Sequence, residues 1–230
     1  MEIYFDIETI PGQRAGLREE LAEDIKHPAT MSKPETIAKW EKEDKPAAVE
    51  EAYLKTSFDG GMGQIVCIGW ATGGDEPVAS FVPDFELVSE GCVIRAFFER
   101  LAAFHNTSRT RPILIGHNHI AFDIPFIWKR AIVHGIRPPI WFPRNPKPWA
   151  ESVVDTMLLW DSTNRPGKSM DKICRALGIP GKEDVSGADV WPMAQRGEFA
   201  QIAEYCRDDV ERTRQVGVLQ TGERIDAKHL

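Results

Sequence analysis

Phe5-Asp6-Ile7-Glu8-Thr9 decides how this chain is read. It continues an apolar run that starts at Met1, so residues 1–7 read as a buried strand. In an extended chain residues i and i+2 share a face, so Asp6 and Glu8 project together while Phe5 and Ile7 anchor the other side. Two carboxylates on one face repel, and in a dry setting they require a compensating cation. At a strand end facing water the same pair is tolerable, and the fragment alone leaves both readings open.

Working outward, strand and helix patterns alternate. Residues 64–72 read as a second buried strand, 77–83 as a shorter third, 112–116 as an Ile/Leu strand and 152–155 as a last one leading into 157–160. Helical spacing marks residues 87–105, 122–135 with a glycine stop, 170–177 and 199–219. The alternation predicts an α/β domain spanning residues 1–230. An insertion of about residues 11–63 interrupts what would be a hairpin, with helical patterns near 17–25 and 34–55 and a glycine-rich exit at Gly60-Gly61-Met62-Gly63. Long inserts beside such a strand form lids or binding arms, or merely cover a sheet edge.

Composition bounds the function. With 42% hydrophobic and 27% charged residues the chain has ample core. Its 28 basic against 35 acidic residues give a net charge of −7, which argues against a protein that coats duplex nucleic acid through a broad basic face. Cys67, Cys92, Cys174 and Cys206 show no Cys-x-x-Cys pairing, and the apolar contexts of Cys67 and Cys92 predict buried free thiols in a reducing cytoplasm. No apolar run is long enough to span a bilayer, and Met1 leads into a strand rather than a signal sequence.

Two further stretches carry chemistry. In Asn118-His119-Ile120-Ala121-Phe122-Asp123, Asp123 stands near a helix start, where a carboxylate can simply face the macrodipole. Asn118 and Phe122 could present an amide and a ring to a substrate. In Tyr205-Cys206-Arg207-Asp208-Asp209, Tyr205 and Asp209 lie one helical turn apart on the same face. A tyrosine, mostly protonated at neutral pH, suits orienting a water better than abstracting its proton. His117 and His119 read as turn and packing residues or secondary contacts. Asp155, Asp161, Asp171 and Asp208 read as spare carboxylates, with Asp208 the competitor of Asp209.

The ordered set Asp6-x-Glu8, Asn118-x-x-x-Phe122-Asp123 and Tyr205-x-x-x-Asp209 resembles the three motifs of the DEDD superfamily of 3′-5′ exonucleases, in its tyrosine subclass. More narrowly, Gln64 to Gly69, Gly116-His117-Asn118, Leu177 to Lys182 and Tyr205-Cys206 resemble stand-alone exonucleases related to the proofreading domain of family B DNA polymerases. The resemblance implies a ribonuclease H-like fold, a mixed and mainly five-stranded sheet flanked by helices. It implies Asp6, Glu8, Asp123 and Asp209 as ligands of two Mg²⁺ or Mn²⁺ ions, with Tyr205 positioning the nucleophilic water.

The expected substrate is single-stranded DNA or a DNA 3′ end. Thr9, Ile10, Asn118 and Phe122 are the candidate substrate contacts. A stretch through Trp141, Arg144, Lys147, Trp149, Arg165 and Lys168 offers either a basic and aromatic wall or a solvated loop with core tryptophans. Nothing in the sequence reads a 2′-hydroxyl, so RNA is an alternative substrate. A non-catalytic nucleic-acid or partner-binding module is the alternative of another class. The sequence names no protein partner.

Overall fold

The computed structural model describes residues 1–108, 110–162, 167–181 and 186–221; Arg165 and Lys182 lie outside the described residues. Five strands, β1 (Glu2–Ile10), β2 (Gln64–Thr72), β3 (Val78–Phe81), β4 (Ile113–Gly116) and β5 (Val153–Asp155), form one sheet in the order β3-β2-β1-β4-β5. β1 pairs antiparallel with β2 and parallel with β4, so the sheet changes direction at its centre. β1 continues to Ile10 instead of stopping at Ile7, because Thr9 and Ile10 still find partners in Ile65 and Gln64.

The two faces of β1 are used differently. Ile3, Phe5 and Ile7 belong to the main core with α4 (Leu87–Ser108) and α5 (Asp123–Val133). The Phe5 and Phe97 rings lie 5.5 Å apart and those of Trp70 and Phe97 6.0 Å. On the other face Tyr4, Ala71, Ile115 and Val210 pack together, the last from α9 (Phe199–Thr221). Helices α6 (Thr156–Asp161), α7 (Met170–Leu177) and α8 (Val190–Gln195) brace α9. The result is a mixed five-stranded sheet flanked by helices, the ribonuclease H-like arrangement expected.

Between β1 and β2 the insertion carries α1 (Leu17–Asp24), α2 (Pro34–Glu43), α3 (Lys45–Lys55) and a 3₁₀ turn at Thr56–Phe58. The helical pattern of residues 34–55 is interrupted at Asp44. Pro46 has no N–H to give Lys42 and its ring excludes that carbonyl, so a new helix begins there. The six residues of α8, with Pro192 among them, are too few for periodicity to register. Cys67, Cys174 and Cys206 are buried free thiols, but Cys92 is exposed on α4: its apolar neighbours occupy the helix face turned to the core.

Gly69 sets how closely α9 approaches the sheet. It lies opposite Asp6, and a Cβ there would stand 2.9 Å from Cys206 Sγ and 3.0 Å from Val210 Cγ2. Gly69→Ala is therefore expected to displace α9 and cost about 1–3 kcal/mol, as overpacking of a dense core does. Urea denaturation measures it, and an unchanged midpoint would show that α9 has room to move.

Candidate active site

The first carboxylates are aimed by β1. Asp6 lies opposite Gly69 and Glu8 opposite Cys67, so both share the α9 face. The register then shifts between Glu8 and Thr9, with Val66 as the extra residue on β2. A bulge there twists the strand end and re-aims what it carries. Asp6 is half-buried and Glu8 buried.

Asp123 is brought to the backbone between them by the parting of two strands. Parallel pairing of β1 with β4 covers only Glu2 to Tyr4 against Ile113 to Ile115. Farther along, the Ile7 N–H donates to Asp123 Oδ1 at 3.1 Å. The side chain of the first residue of α5 thus takes the place a strand carbonyl would hold, in the crevice at the carboxyl ends of the strands.

The turn before α5 is built tightly. Gly116 is required because the His119 ring lies where its side chain would be, with Nδ1 2.3 Å from an added Cβ. Asn118 has φ 62°, the left-handed region that asparagine tolerates better than most residues. Asp155, read from the sequence as a spare carboxylate, holds this turn in place. It accepts from Asn118 N at 2.9 Å and Ile120 N at 3.1 Å, and it caps α6 through Met157 N at 3.1 Å. The only sequence signal was its place at the end of a strand before a helical pattern.

From α9 come Tyr205, buried, and Asp209, half-buried, while Asp208 faces solvent. Arg212 donates to Asp209 Oδ1 at 2.9 Å. Cys206, between them, has its Sγ 3.6 Å from the Asp6 carbonyl oxygen. The helix spacing thus turns Tyr205 and Asp209 inward together.

A family model described as a predicted 3′-5′ exonuclease related to the exonuclease domain of PolB matches residues 63–216. The chain belongs to this exonuclease family. The matched span includes Asp123, Tyr205 and Asp209 and leaves β1 outside. A solved family B DNA polymerase from the hyperthermophilic archaeon Pyrobaculum calidifontis superposes with a TM-score of 0.56 at 16% identity, over 95% of this chain and 24% of the polymerase. At that identity the likeness shows the fold, ribonuclease H-like. No curated relative matches the chain.

Electrostatics link the candidate carboxylates and the tyrosine. Burial raises the Asp123 carboxyl from 3.8 to about 7, and the charges of Asp155 and Asp209 add to it. Burial drives the Tyr205 hydroxyl far above its ordinary range, helped by Asp209, Glu8 and Asp6. Burial also lowers His119 to about 4 and lowers His117, so both rings stay neutral at pH 7. Neither is poised to supply positive charge here. His117 instead bridges Thr156 Oγ1, at 2.9 Å, and the Lys168 carbonyl, at 3.0 Å.

Exonuclease domains of this kind use divalent metals, and the residues present fit one. Ligand atoms of Asp6, Glu8 and Cys206 lie within 4.8 Å of one another. Burial first, then Cys67 and the two carboxylates, hold the Cys206 thiol well above its ordinary pKa. A protonated thiol is a poor ligand and hard cations prefer oxygen, so the carboxylates rather than Cys206 would serve a divalent cation here.

Two of the expected substrate contacts, Thr9 and Phe122, adjoin the same turn of the insertion. Phe122 is half-buried, its ring 6.3 Å from that of Phe58. Thr9 Oγ1 donates to the Ser57 carbonyl at 2.8 Å. Ile10 is fully buried in the core, so its side chain is not offered to a nucleotide. Of the suggested basic and aromatic wall, Trp141 packs on the core 5.4 Å from the His105 ring, and Arg144 stands 5.7 Å over Trp128. Lys168 pairs with Asp161 at 3.1 Å, and Trp149 is exposed. Phe58, in the insertion, gave no sequence signal beyond being aromatic.

Between about pH 4 and 7 the folded protein holds a proton on Asp123 that the unfolded chain lacks, so this group lowers the stability of the metal-free protein as pH rises through that window. Asp123→Asn keeps the acceptor for Ile7 and removes the charge. Its metal-free melting temperature should exceed that of the wild type at pH 8 and match it near pH 4; an equal gap at both would refute the buried-charge origin. Asp155→Ala removes the acceptor for two turn N–H groups and should cost about 2–4 kcal/mol in chemical denaturation. A loss below about 0.5 kcal/mol would show that the turn holds without it.

Proposed function

We propose that the protein is a metal-dependent 3′-5′ exonuclease of the DEDD superfamily's tyrosine subclass, removing nucleoside 5′-monophosphates from the 3′ end of single-stranded DNA. The observation that carries this reading is the convergence of β1 and α9: ligand atoms of Asp6 and Glu8 on β1 and of Cys206 on α9 lie within 4.8 Å of one another, and Cys206 stands between Tyr205 and Asp209 on that helix. The similarity of fold to a DNA polymerase, and of family to the PolB exonuclease domain, favours DNA over RNA.

In this reading Asp6, Glu8, Asp123 and Asp209 hold two Mg²⁺ or Mn²⁺ ions. Such ions, when bound, make water nucleophilic near neutral pH and neutralise charge on the departing 3′-oxygen. The protein's own residues do the rest. The Tyr205 hydroxyl stays protonated, so it orients the attacking water by hydrogen bonding and leaves the proton to be lost elsewhere. Asp123 gives up its proton as metal binds, so metal affinity rises with pH up to about 7 and falls off below it. Arg212, one turn along α9, donates to Asp209 Oδ1 at 2.9 Å and offsets part of its charge. Asn118 and Phe122 border the strand's path beside Asp123. The protein acts in the cytoplasm, and the whole of residues 1–230 serves as one exonuclease domain.

The test is a time course on 3′- and 5′-labelled single-stranded DNA with Mg²⁺, Mn²⁺ or EDTA, beside a matched RNA. Metal-dependent release of mononucleotides from the DNA 3′ end is expected. Asp6→Ala should abolish it, and Tyr205→Phe should lower kcat roughly 10²- to 10³-fold with little change in binding. Cleavage of RNA alone would reassign the substrate, and full activity of Asp6→Ala would remove that residue from the ligand set.

A further inference from the structure

Phe58 is 73% exposed, yet its backbone is fixed from several sides. It ends the 3₁₀ turn Thr56–Phe58 of the insertion. The preceding carbonyl, of Ser57, accepts from Thr9 Oγ1 at 2.8 Å, and Thr9 follows Glu8. Thr56 Oγ1 donates to the Tyr53 carbonyl at 2.6 Å and accepts from Gly12 N at 3.0 Å. The next residue, Asp59, accepts from Lys129 Nζ at 2.7 Å, which ties the turn to α5. Gly60 lies on the α5 backbone, where an added Cβ would stand 2.9 Å from Phe126 Cα.

The side chain therefore has a fixed base and a free face. Its ring is 6.3 Å from that of Phe122 at 56°, and Phe122 immediately precedes Asp123. An exposed aromatic ring is thus carried between the residue after Glu8 and the residue before Asp123, at the edge of the carboxylate crevice. Burial does not explain an aromatic there, because most of the ring meets water. A nucleobase leaving that crevice offers the flat apolar surface that such a ring binds, and stacking of this kind tolerates every base.

We infer that Phe58 is a base-stacking platform for single-stranded nucleic acid, built by the insertion and fastened to both sides of the site. The inference rests on the exonuclease reading above and adds the subsite that holds the strand's terminal bases. It gives the insertion a role as binding arm.

Two measurements test it. In steady-state cleavage of single-stranded DNA, Phe58→Ala should raise KM roughly 5- to 100-fold, the range of a lost stacked base, with kcat within about threefold, and Phe58→Trp should restore KM. Placing an abasic site at each of the last four nucleotides in turn should erase the difference between wild type and Phe58→Ala at one position. An unchanged KM, a fall confined to kcat, or a difference that persists with every abasic strand overturns the proposal. The second measurement needs no cleavage: strands carrying 2-aminopurine near the 3′ end are bound in EDTA or Ca²⁺. Quenching by the wild type that is weakened in Phe58→Ala supports stacking, and equal quenching overturns it. Should the wild type cleave no strand in Mg²⁺ or Mn²⁺, the exonuclease reading fails while this quenching still decides the role of Phe58.

Discussion

One hydrogen bond organises the functional end of the molecule. β1 leaves β4 after Tyr4, and the Ile7 N–H, three residues farther along, finds the carboxylate of Asp123 in place of a strand carbonyl. A buried backbone donor without a partner would cost about 1–3 kcal/mol, so the parted strands need an acceptor here. Supplying it with a side chain does two things at once. It lets the strands diverge into a crevice, and it locks a carboxylate into that crevice within reach of the face that bears Asp6 and Glu8. The opposite wall depends on the absence of a side chain: Gly69, opposite Asp6, admits α9 close enough to bring Tyr205 and Asp209 over the same face.

Collecting like charges this way opposes folding. Asp123 resists ionisation because it is dry and because Asp155 and Asp209 are near. The fold manages part of the repulsion locally. Arg212 lies against Asp209, and backbone N–H groups occupy Asp155. What remains favours any cation that enters, since binding it relieves the repulsion that the folded chain carries. In the reading proposed above, stability and metal affinity are therefore linked through the same side chains.

The sheet was legible because its strands are short apolar runs that need little context, and β4 and α5 fall where the Ile/Leu run and the Gly135 stop put them. The carboxylates were legible only as a set: Asp209 and Asp208 are both acidic neighbours on one helix, and the turn of α9 is what faces one inward. Three features depended on long-range packing and left little local trace. Asp155 looks like any strand-end aspartate until the Asn118 and Ile120 amides converge on it. Ile10 follows the first motif directly, yet the strand continues and carries it into the core. Trp141 sits in a proline-rich loop whose neighbour Phe142 is drawn under α4 by the Phe98 ring, at 5.2 Å.

The far end of α5 shows how the crevice is held rigid. Glu90, fully buried on α4, accepts from Arg130 through Nε at 2.7 Å and Nη2 at 2.6 Å, and lies 2.8 Å from His134 Nε2. Burial alone would raise its carboxyl, but the His134 and Arg130 hydrogen bonds outweigh that and hold it below its ordinary value. The same carboxylate accepts from Ile65 N at 2.8 Å, beside the bulge that aims Glu8. A buried ion pair contributes little net stability after desolvation, whereas breaking one is costly, so its consequence is geometric. It fixes α5 to β2 from behind, so that the helix bearing Asp123 and the strand that pairs with Glu8 cannot shift independently.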